Sequence, residues 1–405
     1  MYQILNDLTV VEGASFIAGP SCALHLHHFG ARVIRFDMIG GGPDYGRWPI
    51  SQSGKSYYWE SLNQGKLSVA IDLSSDEGRE LAVEIVTMPG KGRGLFVTNY
   101  PRNGFLAHEA LAARRVDLIT LRVMGWPDGR NAVDYTVNAA VGLPYLSGDP
   151  QANGARPVNS VLPAWDLITG AYGAFALLAA ERRRNATGEG GEVSLALSDI
   201  AAGMLGNLGQ IAEVLADGDR PRIGNDLFGA FGRDFRTADG QDIMIVAITS
   251  RQWSGLVRAL GIGDEIAALE AAVHVNFTRD EGSRFQFRDK VFPIVSAAVR
   301  QHALAELAPR LDAAAVCWEP YRGLRDAVQN DARLIEENDI FSRLEQPSGV
   351  TYPVAGALAR VNGMHRSAPV PASRLGAATE EVLMGDLGLS QAQIGELLKK
   401  RVISV

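Results

Sequence analysis

Cysteine is nearly absent: Cys22 and Cys317 stand alone in 405 residues. Two thiols so far apart exclude a disulfide framework and a cysteine-rich zinc site. Basic charge is not in excess either, with 39 Lys and Arg against 46 Asp and Glu and a net charge of −7. That balance disfavours a nucleic-acid partner, because such binders displace phosphate counterions with a basic stripe. It leaves room for a local basic pocket around a phosphorylated ligand. The longest apolar stretch, near Leu167 to Ala180, is interrupted by Gly170 and Gly173 and is too short to span a bilayer. The opening residues, Met1-Tyr2-Gln3-Ile4-Leu5-Asn6, lack the basic region and apolar core of a signal peptide. Repeats and low-complexity tracts are missing too. A soluble, cytoplasmic protein without membrane or nucleic-acid partners is expected.

What is present is an ordinary globular composition, 46% hydrophobic and 21% charged, enough to bury a core and too long for only one. In the first half, strand-like runs alternate with helical ones. Leu8 to Glu12, Arg32 to Phe36, Ser68 to Leu73, Leu95 to Asn99 and Leu118 to Val123 read as strands. Gly19-Pro20 opens a helix that Gly30 stops, and Asp76 to Met88 and Leu106 to Arg114 are helical. Such alternation predicts an α/β, Rossmann-like domain with a parallel sheet covered on both faces. From about Leu227 the style changes: Phe231 to Thr237 and Gln241 to Ile248 flank Ala238-Asp239-Gly240, a hairpin signal. Helical segments at Arg251 to Leu260 and Arg284 to Leu311 follow, which predicts a smaller α+β domain. Ser390-Gln391-Ala392-Gln393 is a capping box before a last helix.

Several local patterns suggest ligands. Gly54-Lys55-Ser56 resembles the end of a phosphate loop, but Pro49 stands where its first glycine belongs. The turn Gly13 to Gly19, with Asp37 after the next strand, resembles a dinucleotide site without its glycine spacing. His25, His27 and His28 have no nearby carboxylate to complete a metal set, so no metal is expected. Asp166 opens a helix that ends in Arg182-Arg183-Arg184, charges that suit its C-terminal dipole. It reads either as an N-cap or as a reactive carboxylate kept ionised by free backbone N–H groups. Gly170 and Gly173 would let a backbone or a ligand approach the same helix. Residue pattern alone leaves both readings open.

The chain resembles the class III CoA transferases, the family of formyl-CoA transferase, carnitine CoA-transferase and α-methylacyl-CoA racemase. The resemblance runs nearly end to end. It is carried by Val33-Ile34-Arg35, Leu62-Asn63-Gln64-Gly65-Lys66 through Leu73, the Asp166 helix with Thr187-Gly188-Glu189-Gly190, Leu375-Gly376 and Glu380-Glu381-Val382-Leu383. It implies a large CoA-binding domain formed by residues 1–205 and, after a connecting stretch, 331–405. A linker at 206–225 and a small domain at 226–330 lie between them, and two chains interlock as rings in a homodimer. It also implies an acyl-CoA substrate, no cofactor beyond the CoA it carries, and Asp166 as a covalent nucleophile. Arg35, Lys66, Asn99, Arg102 and Ala18 match CoA-binding positions, although Asn99-Tyr100-Pro101-Arg102 reorders the family's motif. Ile17 replaces the glutamine of the formyl-CoA branch. Val133 replaces the racemase histidine, and valine cannot carry a proton. Gly40 to Pro49, Val133 to Asn138, Val161 to Asp166 and Gly229 to Phe235 resemble the branch that shifts CoA between the two carboxyls of mesaconate. There Arg47, Trp48, Ile17 and Tyr135 would meet the substrate, with Arg47 facing its second carboxylate. Exchange between two dicarboxylic acids such as succinate is the alternative.

Overall fold

The computed structural model describes residues 1–150 and 156–405, which form two compact units. One comprises Met1–Val141, Ser160–Ala212 and Ala332–Val405, the other Gly142–Asn159 and Glu213–Asp331. In the first unit β1 (Thr9–Gly13), β2 (Arg32–Met38), β3 (Leu67–Ile71), β4 (Leu95–Thr98), β5 (Ile119–Met124) and β6 (Gly191–Ala196) are parallel. They lie in the order β3-β2-β1-β4-β5-β6. Strand order reverses between β1 and β4, the place where open parallel sheets bind ligands beyond their carboxyl ends. Of these six strands the sequence foreshadows all but β6, whose Gly191-Glu192-Val193-Ser194 start is too polar to read as a buried run.

The helices that matter for the site are α1 (Ala18–His28), α2 (Tyr57–Leu62), α3 (Asp76–Thr87), α4 (His108–Ala112), α5 (Asp134–Ala140) and α6 (Ala164–Thr187). Alternation along β2 divides the core. Ile34 and Phe36 join Val69, Ile71 and the α3 residues Leu81 and Ile85 on one face. Val33 packs with Cys22, Leu26, Ala174 and Leu177 of α1 and α6 on the other, and Arg35 and Asp37 point to that second face by the period of two.

In the second unit β7 (Phe231–Arg236), β8 (Asp242–Ala247) and β9 (Cys317–Pro320) form an antiparallel sheet. Its core is aromatic, with Phe231, Trp253, Phe277 and Phe292 in contact. The stretch 284–311 is not one helix: it divides at Phe287 and again after Val299, giving Glu281–Gln286, Arg288–Val299 and Leu304–Ala313. The expected linker at 206–225 carries the helix Gln210–Asp217.

The chain then returns to the first unit through the hairpin β10 (Phe341–Glu345) and β11 (Thr351–Ala355). Beyond it β12 (Ile403–Ser404) pairs antiparallel with β3 and covers that edge of the sheet. The hairpin anchors α2 from behind. Buried Glu60 accepts hydrogen bonds from the Ser348 N–H at 2.7 Å and hydroxyl at 3.0 Å, and from Tyr352 Oη at 3.3 Å. Among the described residues no helix is long and apolar enough to cross a membrane.

The two glycines of α6 serve helix packing. A Cβ on Gly170 would lie 2.0 Å from Ser21 Oγ and 3.0 Å from the Ala18 carbonyl, and one on Gly173 3.3 Å from Cys22 Sγ. Hence α1 and α6 touch backbone to side chain near their N-termini, which brings the loop before α1 close to Asp166. Overpacking this contact with Gly170→Ala is expected to cost about 1–3 kcal/mol, read as a lower midpoint in urea. Ser21→Ala should recover part of that loss, so the two changes are non-additive.

Candidate active site

The floor of the site is an ion network at the carboxyl ends of β1 and β2. Glu12 and Arg35 face each other in register, and Asp37 follows on the same face of β2. Arg35 Nε and Nη2 bind Asp37 at 2.7 and 2.8 Å, Nη1 binds Glu12 at 2.7 Å and Asn63 Oδ1 at 3.2 Å, and Nη2 also reaches Asp44 at 3.3 Å. Lys66 Nζ donates to the Pro20 carbonyl at 2.8 Å and Asn63 Oδ1 at 3.0 Å, and lies 2.7 Å from Glu12 Oε2. Both cations are 1% exposed. A guanidinium has five N–H donors and an ammonium three, and these contacts use them. The expectation that Arg35 and Lys66 bind CoA therefore meets a physical obstacle, because both are buried and their donors are engaged within the protein. Burial lowers the Lys66 pKa to about 8, with the Glu12 charge opposing.

Above this floor runs the β1–α1 loop. Asn99, just past β4, takes the Ser15 N–H on Oδ1 at 3.1 Å and donates Nδ2 to the Ser15 carbonyl at 3.0 Å. Asn99 thus clamps the loop across the switch point. The next residue, Phe16, has φ +72°, a left-handed conformation costing an L residue about 1–2 kcal/mol. Its N–H is held by Asp44 Oδ2 at 3.0 Å. Burial raises the Asp44 pKa against the opposing charge of Arg35.

Asp166 is the third residue of α6. The helix starts at Ala164 and the preceding Pro163 offers no side-chain cap, so the N-cap reading of Asp166 falls. The capping carboxylate is Asp134, whose Oδ2 accepts the Asp166 N–H at 3.0 Å. One turn along α5, Asn138 Oδ1 accepts from Trp165 Nε1 at 3.1 Å. Two residues at i and i+4 of one short helix therefore fix the start of α6. The donor expected to keep Asp166 ionised serves Asp134 instead. Burial, and then the Asp134 charge, push the Asp166 carboxyl up to about 7, while Arg47 pulls it down. A carboxylate of that basicity is a stronger nucleophile than an ordinary one and is still half ionised near neutrality.

Arg47 is the exposed cation of the site. Its backbone N–H donates to the Asp44 carbonyl at 3.1 Å, and its own carbonyl accepts from Ser56 Oγ. Ser56 also caps α2 through the Trp59 N–H at 3.0 Å, which places Tyr58 beside Arg47. The guanidinium carbon lies 5.7 Å from the Phe16 ring centre and 5.4 Å from that of Tyr58, within cation–π range. The Tyr58 hydroxyl is raised to about 12, chiefly by burial. Charge on an aromatic cradle remains available to a ligand anion, unlike charge already neutralised by carboxylates.

The other expected residues divide. Ile17 is half-buried at the end of the strained loop, and Ala18 is buried at the start of α1 against α6. Trp48 is 74% exposed. Tyr135 is exposed and donates to the Val161 carbonyl at 3.2 Å, near the start of α6. Arg102 is exposed and donates to Ser194 Oγ at 2.8 Å, leaving it the one accessible cation of the expected CoA-binding set. Asp134, Asp44, Phe16 and Tyr58 were not singled out from sequence. Among the described residues no cluster of three or more His, Cys, Asp or Glu is arranged to hold a metal.

The family-wide sequence pattern of CoA-transferase family III matches residues 5–379. The chain is 43% identical over 406 aligned residues to the 2-methylfumaryl-CoA isomerase of Chloroflexus aurantiacus, covering 100% of this chain and 98% of that one. It is 27% identical to the beta subunit of succinyl-CoA–L-malate CoA-transferase from the same organism, over 98% of each chain. A crystal structure of a CAIB/BAIF family protein from Brucella suis superposes with a TM-score of 0.75 at 23% identity, over 95% of this chain and 100% of that one.

The charges around Asp166 set measurable titrations. Asp134→Asn, which keeps an oxygen acceptor but loses the charge, is expected to lower the apparent pKa of Asp166 from about 7. Arg47→Ala is expected to raise it, and the pH dependence of carbodiimide labelling of Asp166 reads both. The folded-state pKa lies above the ordinary value of 3.8, so the stability linked to this proton is fully present below that pH and is lost as pH rises through 7. Asp166→Asn should therefore match the native protein at pH 4 and exceed it at pH 8 by ~1 kcal/mol, a value discounted for partial exposure. Thermal unfolding at the two pH values checks the sign.

Proposed function

The chain belongs to CoA-transferase family III, and from that premise we propose that it shifts CoA between the two carboxyls of one mesaconate molecule, converting 2-methylfumaryl-CoA into 3-methylfumaryl-CoA. The observation that carries this reading is the pairing of a carboxyl raised to about 7 with a nearby exposed arginine held by rings rather than by carboxylates. The full-length similarity to a 2-methylfumaryl-CoA isomerase supports it.

Ionised Asp166 attacks the thioester carbonyl and forms a mixed anhydride, expelling CoA as thiolate. The thiolate attacks the aspartyl carbonyl, giving an aspartyl-CoA thioester and releasing mesaconate as a free dianion. The second carboxylate of the same molecule attacks the aspartyl thioester, and a second anhydride forms as the thiolate leaves. The thiolate then takes the acyl carbon of the new carboxyl, and Asp166 is regenerated. Each bond made balances a bond broken, and no proton, metal or redox partner is consumed. Covalent relay splits one slow exchange into easier steps. Arg47 neutralises whichever carboxylate is not reacting, and retention of the acid gives its second carboxylate a high effective concentration.

A homodimer is part of the proposal. Tyr172 and Phe175 on α6 are 44% and 65% exposed and Leu208 71%, apolar surface of the kind that interfaces cover. Sedimentation equilibrium is expected to give twice the mass of the chain; a monomer at micromolar concentration would remove the dimer from the proposal.

Turnover of unlabelled 2-methylfumaryl-CoA in excess labelled free mesaconate is expected to leave the product ester almost without label. Asp166→Ala should abolish conversion, and hydroxylamine added during turnover should mark Asp166 in a peptide map. Rapid label entry in the native enzyme would replace the isomerase with a transferase between separate acids. Near-normal activity of Asp166→Ala would overturn the nucleophile itself.

A further inference from the structure

Phe16 is an anomaly. It adopts φ +72°, which suits glycine, yet its ring is not used to fill the core and is 40% exposed. A strained backbone that buries little is retained where something else requires the geometry. The ring lies against the Arg47 guanidinium, whose carbon is 5.7 Å from the ring centre. The group that holds the strained turn is Asp44, 1% exposed, with Oδ2 on the Phe16 N–H at 3.0 Å and Oδ1 3.3 Å from Arg35 Nη2. Through its backbone the same residue accepts the Arg47 N–H at 3.1 Å. Asp44 therefore grips both members of the Phe16–Arg47 pair and ties them to the buried ion network.

We propose that Asp44 is a positioning residue that locks Phe16 and Arg47 into one rigid unit beside Asp166, and that this lock keeps the free dicarboxylate in place between the two halves of the reaction. Neither Asp44 nor Phe16 needs to touch the reacting atoms. The retention role rests on the isomerase reading given above, whereas the lock on Arg47 does not. Geometry explains why a side chain as flexible as arginine can hold one place. Its backbone is fixed at the N–H by Asp44 and at the carbonyl by Ser56, and its head is bracketed by two rings. Loss of the Asp44 acceptor frees the Phe16 N–H, the turn relaxes to φ below zero, and the ring swings from beneath the guanidinium.

The test uses the full chain with Phe16→Ala, Asp44→Ala and Asp44→Asn, each alone and combined with Arg47→Ala. Phe16→Ala removes a half-exposed ring and leaves the ion network intact, so folding is not at issue for that variant. Phe16→Ala and Asp44→Ala are each expected to raise about tenfold the fraction of turnovers that end in free CoA and free acid, with KM changed less than about threefold. Asp44→Asn, which retains an oxygen for the Phe16 N–H, should recover most of the native partition. In the ligand-free protein both disruptive variants should raise the apparent pKa of Asp166 toward that of Arg47→Ala, and add nothing in the Arg47→Ala background. Unchanged partition and titration in Phe16→Ala, or losses that add fully to Arg47→Ala, would overturn the lock. Should the native enzyme exchange label freely with external acid, the retention role falls with the isomerase reading. The titration coupling, read without substrate, then decides the lock by itself.

Discussion

Three carboxylates, Glu12, Asp37 and Asp44, share two cations, Arg35 and Lys66, in a space from which solvent is excluded. Buried charges are tolerated only when hydrogen bonding is nearly complete, and removing one partner from such a set typically costs about 3–5 kcal/mol. Saturation of Arg35 and Lys66 meets that condition. Its outcome is a rigid polar floor that joins β1, β2, the segment before β3 and the turn carrying Asp44. The loop above it borrows that rigidity: Asn99 holds Ser15, Asp44 holds Phe16, and the strain at Phe16 persists because both grips are in place.

Residues of the same type are assigned opposite tasks by their surroundings. Arg35 is neutralised by carboxylates, whereas the Arg47 guanidinium rests against the aromatic faces of Phe16 and Tyr58. Asp134, on α5, accepts the N–H of Asp166 near the start of α6. Asp134 is thereby the cap, and Asp166 has a near-neutral pKa, raised by burial and by its neighbour's charge. The carboxyl whose place near a helix start suggests stabilisation of its charge is instead one whose charged form is disfavoured.

Periodicity made the sheet legible. Buried β-branched runs separated by helices predicted a parallel sheet, and the Ala238-Asp239-Gly240 turn predicted the hairpin of β7 and β8. The nucleophile assignment of Asp166 rests on family resemblance, not on its chemistry, because an N-cap and a nucleophile share the same local pattern. Asp134 and Asn138 escaped notice because their partners lie 32 and 27 positions away. Arg35 and Lys66 were matched to CoA-binding positions by resemblance alone, and that both meet the buried Glu12 is a tertiary fact the local pattern does not carry. Phe16 carries no signal at all in one dimension, since its conformation is imposed by Asp44 across 28 positions.

The pairing of β12 with β3 has a consequence for biosynthesis. Ala70 on β3 donates its N–H to Thr379, 309 positions further along the chain, and β12 lies beyond that. At translation rates of about 5–20 residues per second, β3 leaves the ribosome some 15–60 s before the segment that covers its edge. Through that interval the nascent chain presents an open strand of the apolar sequence Leu67-Ser68-Val69-Ala70-Ile71, the kind of edge that recruits foreign strands. Shielding of the nascent chain is therefore expected to affect the yield of this protein in a host cell, a vulnerability that the stability of the finished fold does not reveal.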